Sequence, residues 1–167
     1  DSILRKRGPL TPEERRMMET HCAIGAEILK QDPEGSGAYV LWRRLHSTAP
    51  RSVADNPILD MASRVALTHH ERWDGSGYPA GTRGEETPIE GRIVALADTY
   101  DALSTPRPYK PAYPEEEVLH ILWEGAGTRF DPDVYAAFLE VIGKFRDIRE
   151  AFSDRQAIAE FLEHNAP

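Results

Sequence analysis

The sequence predicts an all-α fold. Apolar residues recur at helical spacing, several segments open with a capping residue followed by proline, and no stretch shows sustained strand alternation or an Asn-Gly hairpin signal. The 167 residues, 40% of them hydrophobic, suffice for one domain with a sizeable core. No repeat at a solenoid period is present.

The first predicted helix begins at the capping box Thr11-Pro12-Glu13-Glu14 and runs to about Lys30. His21 lies beside the apolar stripe of this helix and is expected to point inward. A lone histidine in such a place is more often a hydrogen-bonded core residue than a metal ligand. The stripe that should face the core consists of Met17, Met18, Ile24, Gly25 and Ile28.

A turn-rich segment, residues 31–56, separates the first helix from the second and is predicted to be a long connection or insertion with a short helix around 39–45. Asn56-Pro57 then opens the second helix. Its apolar face should deliver His69 and His70 inward at the C-terminal end. That face consists of Ile58, Leu59, Ala62, Val65 and Ala66.

A second capping box, Thr87-Pro88-Ile89-Glu90, predicts a third, largely buried helix. Asp98 lies in its middle, and Asp101 follows on nearly the same face. A carboxylate on an apolar helix costs free energy if left unpaired. Asp98 should therefore meet a metal or several donors, or else an arginine such as Arg92 or Arg64.

Three more helices are predicted to complete the chain. Residues 1–150 should form the body of a single domain, and residues 151–167 its C-terminal helix. The helices run from Glu115 to Glu124, from Pro132 to about Arg149 after an Asp131 cap, and from Asp154 to Glu163 after a Ser153 cap.

Composition limits the classes of partner. The formal net charge of −8 provides no general field for a nucleic-acid polymer or an anionic membrane, so an anionic ligand needs a local cationic pocket. No apolar run is long enough to span a bilayer. Cys22, the only cysteine, is predicted to be a small buried hydrophobe, and a cytoplasmic location is expected.

The densest concentration of metal-binding residue types is His69-His70-Glu71-Arg72-Trp73-Asp74-Gly75-Ser76-Gly77-Tyr78-Pro79. Imidazole and carboxylate together suit a first-row divalent ion. The histidines can instead complement a helix dipole, and the glycines can simply make turns. Glycine also allows close backbone approach to a ligand, and Tyr78 can stack on a nucleotide base. Arg107 and Lys110, on a proline-stiffened loop, can grip phosphates or remain solvated.

These motifs, taken in order, resemble the HD-GYP family. The resemblance also includes Ala97-Asp98-Thr99-Tyr100-Asp101-Ala102-Leu103, Arg107-Pro108-Tyr109-Lys110 and Gly127-Thr128-Arg129-Phe130-Asp131-Pro132, and it extends from residue 1 to about residue 139. HD-GYP proteins are metal-dependent HD phosphohydrolases whose characteristic activity is hydrolysis of the bacterial second messenger cyclic di-GMP. The resemblance implies an HD-domain-like helical bundle.

The resemblance also implies a set of site residues. His21, His69, His70 and Asp98 match ligands of a centre with two or three iron or manganese ions. A second set of positions matches the family's substrate loop and the residues that contact the substrate's phosphates. A third set is expected to support the metal ligands. The substrate set is Gly77, Tyr78, Pro79, Arg107 and Lys110, and the supporting set is Glu71, Asp74 and Asp101. Expected partners are cyclic di-GMP, an upstream receiver or sensor domain, a signalling protein and a second copy of the chain.

The sequence departs from the family in having no His-Asp dipeptide. Residues 1–14 resemble the segment that directly follows that pair, so the domain is expected to be incomplete at its N-terminus. We favour a fragment of a phosphodiesterase that is inactive alone. The alternatives are a binding module for a cyclic dinucleotide or signalling partner, and an HD hydrolase with another nucleotide substrate.

Overall fold

The computed structural model describes residues 3, 6, 8–30, 57–106 and 111–151. These residues form helices and loops with one isolated bridge between Ala126 and Phe130 and no strand, which confirms the all-α prediction. None of the helices in this part of the chain has the length and apolar character needed to cross a bilayer. The helices are α1 (Pro12–Lys30), α2 (Pro57–Thr68), α3 (Ile89–Ser104), α4 (Glu115–Gly125) and α5 (Pro132–Ala151), with a 3-10 turn at Gly84–Glu86.

Two predicted helix starts are confirmed by their capping bonds. At α1, the Glu14 N–H donates to Thr11 Oγ1 at 3.2 Å, and the Thr11 N–H donates to Glu14 Oε2 at 2.7 Å. At α5, Asp131 Oδ1 accepts the Asp133 N–H at 2.8 Å. Local sequence was sufficient in both cases because each cap is satisfied within its own first turn.

The predicted capping box of α3 is wrong. The helix starts at Ile89 without a side-chain cap, because both members of the box are used in tertiary contacts. The Thr87 hydroxyl is buried and lies 2.6 Å from the Thr82 hydroxyl, while Glu90 forms an ion pair with Arg64 on α2. The helix start is therefore set by loop and inter-helix packing.

Helix α1 packs on α2 through small residues. Cys22 and Ala26 are buried, and the Ser63 hydroxyl donates to the Ala26 carbonyl at 3.2 Å. The predicted stripe is wrong at its large members: Met17, Ile24 and Ile28 are 64%, 52% and 55% exposed within the described part of the chain. Close approach of two helices selects small side chains, which a search for large apolar residues does not favour.

The core lies among α3, α4 and α5. The rings of Tyr100 and Phe138 meet edge to face with centroids 5.4 Å apart, and an ion pair between Arg92 and buried Asp131 joins α3 to the start of α5. Ile89 and Ile93 are each 48% exposed, so α3 is less buried than predicted. The buried cluster is Leu96, Tyr100, Val118, Leu122, Phe130 and Phe138.

Gly91 controls the approach of α3 to the end of α2. A Cβ added at Gly91 would overlap Thr68 Oγ1 and lie 3.0 Å from Thr68 Cβ, next to the site histidines. We expect Gly91→Ala to lower the free energy of unfolding by about 1–3 kcal/mol through overpacking. Gly143→Ala is the matched control because nothing lies within 4 Å of its added Cβ on α5. A free energy of unfolding of Gly91→Ala equal to or greater than that of the wild type, measured by urea unfolding, would contradict this account.

Several predictions concern residues that lie outside the described part of the chain. These are the insertion at 31–56 with its short helix at 39–45, the Arg107 and Lys110 loop, and the C-terminal helix from Asp154 to Glu163. The division into a body of residues 1–150 and a helix of residues 151–167 also stays a prediction.

Candidate metal centre

Three histidines from two helices meet at one point. His21 comes from the middle of α1, whereas His69 and His70 directly follow α2. The ring centroids of His21 lie 5.4 Å from His69 and 5.0 Å from His70, and those of the adjacent pair are 4.1 Å apart. The small residues between α1 and α2 bring the backbones close enough for this convergence.

Hydrogen bonds fix the tautomers of two of the rings. His21 Nδ1 lies 2.6 Å from the Met18 carbonyl oxygen. His69 Nδ1 lies 3.0 Å from the carbonyl oxygens of both Val65 and Ala66. Because a carbonyl oxygen only accepts, each Nδ1 carries the proton and each Nε2 has a free lone pair. This is the usual second hydrogen bond of a metal-ligating histidine.

The two free nitrogens face each other, with His21 Nε2 and His69 Nε2 separated by 3.4 Å. Two lone pairs at this distance repel unless a proton or a cation lies between them. A divalent ion that binds both nitrogens removes the repulsion and uses both as ligands. The donor chemistry therefore fits a first-row transition metal.

The third imidazole, His70, is neutral at neutral pH. Burial, followed by the charges of His69 and His21, lowers the pKa of His70 to about 4. The sequence left open that the histidines are protonated and complement the helix dipole. The lowered pKa of His70 does not agree with that alternative. Neutral imidazole is the metal-binding form.

Cys22 lies against the histidines. Its burial is confirmed, and the ligand atoms of Cys22, His21, His69 and His70 all lie within 4.8 Å of one another. Burial, with a smaller effect from Glu71, raises the pKa of the Cys22 thiol to about 11. The sulfur is 3.5 Å from His21 Nε2, so the protonated thiol can donate weakly to it. Its position directly after His21 was the only sequence signal of this contact.

Asp98 lies on the exposed side of α3 and lines a cavity of about 80 Å³ together with His69 and His70. It stands outside the group formed by the three histidines and Cys22. The arginines that the sequence suggested as its partners bind elsewhere: Arg92 pairs with Asp131, and Arg64 pairs with Asp60 and Glu90. Asp98 therefore pairs with neither Arg92 nor Arg64, and its carboxylate stays available to a metal ion in the cavity that it lines with His69 and His70.

Glu71 holds the loop that follows the histidines. Its side chain is only 4% exposed, and its carboxylate accepts the N–H groups of Ala80, Gly81 and Thr82 at 2.8, 3.2 and 3.2 Å. These three bonds offset the cost of burying the charge. Glu71 directly follows His70, so these bonds hold residues 80–82 of the loop close to the histidines.

The same loop returns to the histidines at Gly77 and Tyr78. A Cβ at Gly77 would lie 2.6 Å from both Glu71 Cα and the His70 oxygen, so only glycine fits. The Tyr78 N–H donates to the His70 carbonyl at 3.2 Å, and the two ring centroids are 4.9 Å apart. The peptide bond from Tyr78 to Pro79 is cis.

Asp74 and Asp101 serve local turns. Asp74 Oδ1 accepts the Ser76 N–H at 2.9 Å and the Ser76 hydroxyl at 2.6 Å, and these bonds lower the pKa of Asp74. Asp101 Oδ1 accepts the Thr105 hydroxyl at 3.2 Å. Neither aspartate is among the residues that line the cavity beside the histidines. Arg107 and Lys110 lie outside the described residues.

Two arginines near the histidines were missed from the sequence as site residues. Arg72 and Arg129 line the cavity with His69, His70 and Asp98. Arg129 lies in the turn between α4 and α5, far from the histidines in sequence. Its only signal was membership of the Gly127-to-Pro132 motif, which says nothing of the direction of the side chain.

Comparison with known proteins identifies the class. The HD domain family profile matches residues 1–134, so the chain belongs to the HD domain family, and the predicted membership is confirmed. The solved structure of a cyclic GMP-AMP specific phosphodiesterase from Vibrio cholerae aligns with 99% of this chain and 36% of that one, at 16% identity and a TM-score of 0.52. At this identity the alignment supports the helical fold alone.

The relatives are larger proteins. A cyclic di-GMP phosphodiesterase of Vibrio cholerae is 44% identical over 154 residues, which are 92% of this chain and 28% of that protein. A cyclic di-GMP phosphodiesterase of Thermotoga maritima is 40% identical over 148 residues, or 89% and 34% of the two chains. The 3′3′-cGAMP-specific phosphodiesterase 2 of Vibrio cholerae is 36% identical over 154 residues, or 92% and 25%. The chain thus spans about a third or less of the length of these relatives.

Proposed function

We propose that this chain is part of a metal-dependent phosphodiesterase that hydrolyses cyclic di-GMP in the bacterial cytoplasm. The observation that carries the proposal is the pair of unprotonated Nε2 atoms of His21 and His69, 3.4 Å apart, which can act as two ligands of one cation. The similarity to two cyclic di-GMP phosphodiesterases over about nine-tenths of the chain supports the choice of substrate.

The proposed ligands are His21, His69, His70 and Asp98, and iron or manganese in two or three positions is the proposed metal content. A bound pair of such ions supplies Lewis acidity and a hydroxide at neutral pH, which is the chemistry needed to attack a phosphodiester. Imidazole suits iron, and carboxylate suits manganese. The neutral state of His70 keeps its ring ready for coordination without loss of a proton.

The residues around the ligands position the substrate. Glu71 fixes the loop of Gly77, Tyr78 and Pro79 beside the histidines. Tyr78 presents its ring next to His70, where it can stack on a guanine base. Arg107 and Lys110 are proposed to contact the phosphates and offset their charge, as the resemblance implies.

Activity should require more than these 167 residues, which contain no His-Asp dipeptide. We expect the full-length natural protein, loaded with iron or manganese, to convert cyclic di-GMP to the linear dinucleotide pGpG. The 167-residue chain alone should show negligible hydrolysis and a weak metal site, because metal affinity depends on ligand number and geometry. Turnover followed by chromatography, with metal-free protein as the control, measures both expectations.

Two outcomes would favour other functions. Preferential cleavage of 3′3′-cGAMP, the substrate in the name of one relative, would replace the proposed substrate and retain the reaction. Tight binding of cyclic di-GMP by the metal-loaded full-length protein without cleavage would favour a binding module that acts through a signalling partner. Fast hydrolysis by the 167-residue chain would contradict the need for further ligands.

A further inference from the structure

Two arginines beside the histidines have no part in the proposed metal chemistry. Arg72 and Arg129 line the cavity of about 80 Å³ with His69, His70 and Asp98. This volume accommodates a few waters or one small anion, but not a nucleoside. We propose that Arg72 and Arg129 form a pocket for a single phosphate group, either free or carried by a nucleotide.

Arg129 is held in place by a tight turn. The N–H groups of Arg129 and Phe130 both donate to the Gly125 carbonyl, at 2.8 and 2.9 Å. The Gly127 N–H donates to the Phe130 carbonyl at 2.8 Å, with Gly127 at φ +79°. The guanidinium carbon of Arg129 lies 5.2 Å from the centroid of the Phe130 ring. Such preorganisation reduces the entropy lost when a ligand binds.

Backbone bonds also fix the turn relative to the segment that carries Arg72. The Trp73 N–H donates to the Arg129 carbonyl at 3.2 Å. The Asp74 N–H donates to the Thr128 carbonyl at 2.8 Å. These bonds join the backbone of the turn that carries Arg129 to the segment that directly follows Arg72, so the two arginines lie on connected parts of the structure before any anion arrives.

The guanidinium groups of the pocket have unused hydrogen-bond donors. Arg72 Nε is buried without a hydrogen bond within the described part of the chain, and the nearest Asp74 oxygen, at 3.5 Å, already accepts two bonds from Ser76. Arg129 forms no ion pair with any described residue. Burial and the charge of Arg72 lower the pKa of Arg129, as expected for adjacent like charges.

Two carboxylates, Glu71 and Asp98, line the cavity with the two arginines, so the formal charges of these four side chains cancel. Glu71 already accepts three backbone N–H groups, which leaves Asp98 as the free carboxylate among the lining residues. Neither carboxylate forms an ion pair with Arg72 or Arg129 within the described part of the chain, so the guanidinium N–H groups remain available as donors to an anion. A phosphate fits best because its oxygens accept the paired N–H groups of arginine.

The role of this pocket in catalysis rests on the proposed function, because the phosphate would lie beside the metal ligands. Binding of phosphate itself requires no metal. Titration of the chelator-treated full-length protein by calorimetry therefore tests the pocket separately, with inorganic phosphate, GMP and guanosine as the three probes. Phosphate and GMP should bind, whereas guanosine should not.

The variants sharpen the test. Arg129→Gln should weaken phosphate binding at least about tenfold, because a hydrogen bond to a charged group is lost while the backbone bonds of the turn remain. Arg16→Gln, which removes an equal charge from an exposed position on α1, should leave it unchanged. No measurable phosphate binding, equal affinity of Arg129→Gln and wild type, or equal binding of guanosine and GMP would each overturn the pocket. None of these results would alter the cyclic di-GMP hydrolysis measured on the full-length protein.

Discussion

Replacing His69 with alanine should weaken metal binding by the full-length protein at least about 100-fold. The change removes one of the two facing Nε2 atoms, so an ion loses a ligand, and His21 loses the partner that lies 3.4 Å away. The measurement is a titration with manganese after treatment with chelator, followed by elemental analysis of the bound metal. Loss of cyclic di-GMP hydrolysis should accompany loss of the metal.

His120→Ala is the matched control for this change. His120 is an exposed histidine of α4 that lies 3.5 Å from Glu124 and stacks on Trp123, and it belongs neither to the histidine cluster nor to the lining of the cavity. It should retain wild-type metal content. If His69→Ala also bound metal with unchanged affinity, the assignment of the facing nitrogens as ligands would be wrong.

Replacing Glu71 with glutamine should lower the free energy of unfolding by about 2–3 kcal/mol, a large effect for a nearly isosteric change. The neutral amide has one acceptor oxygen, whereas the carboxylate accepts three N–H groups with its two oxygens. At least one buried donor is left without a strong acceptor, and the amide NH₂ group faces a backbone N–H. Urea unfolding followed by circular dichroism gives the value.

Glu86→Gln provides the comparison for Glu71→Gln. Glu86 also accepts a backbone N–H, that of Arg83 at 3.1 Å, but it does so on the exposed surface. Water can replace this acceptor, so the change should cost less than about 0.5 kcal/mol. Equal effects of the two substitutions would show that burial of the Glu71 carboxylate has no special importance for the loop.

Local sequence predicted those parts of the fold whose partners lie nearby in the chain. The caps at Thr11 and Asp131 are satisfied within one helical turn. The periodicity of α2 predicted that His69 is on its buried side, and His69 is partly buried, although Ile58 of the predicted apolar face is 62% exposed. The convergence of His21 with His69 required more than this. It was inferred from the family resemblance, since nothing in the periodicity of α1 and α2 gives the register of their packing.

Features that depend on tertiary contacts escaped prediction. Thr87 carries the local signature of a cap, yet its hydroxyl is bound to Thr82 in the loop. Met17 was placed in the core because it is large and apolar, yet the close approach of α1 and α2 favours small residues. Arg129 reaches the site only through the turn that binds Trp73, a contact between distant segments.

The facing nitrogens of His21 and His69 also lie between two helices, α1 and α2, at whose junction Cys22, Ala26 and Ser63 are buried. An ion bound by both rings is therefore a cross-link between α1 and α2. By thermodynamic linkage, the free energy that the ion gains from docked helices equals the free energy by which it stabilises their docking. Metal binding would then raise the stability of the docked α1–α2 pair.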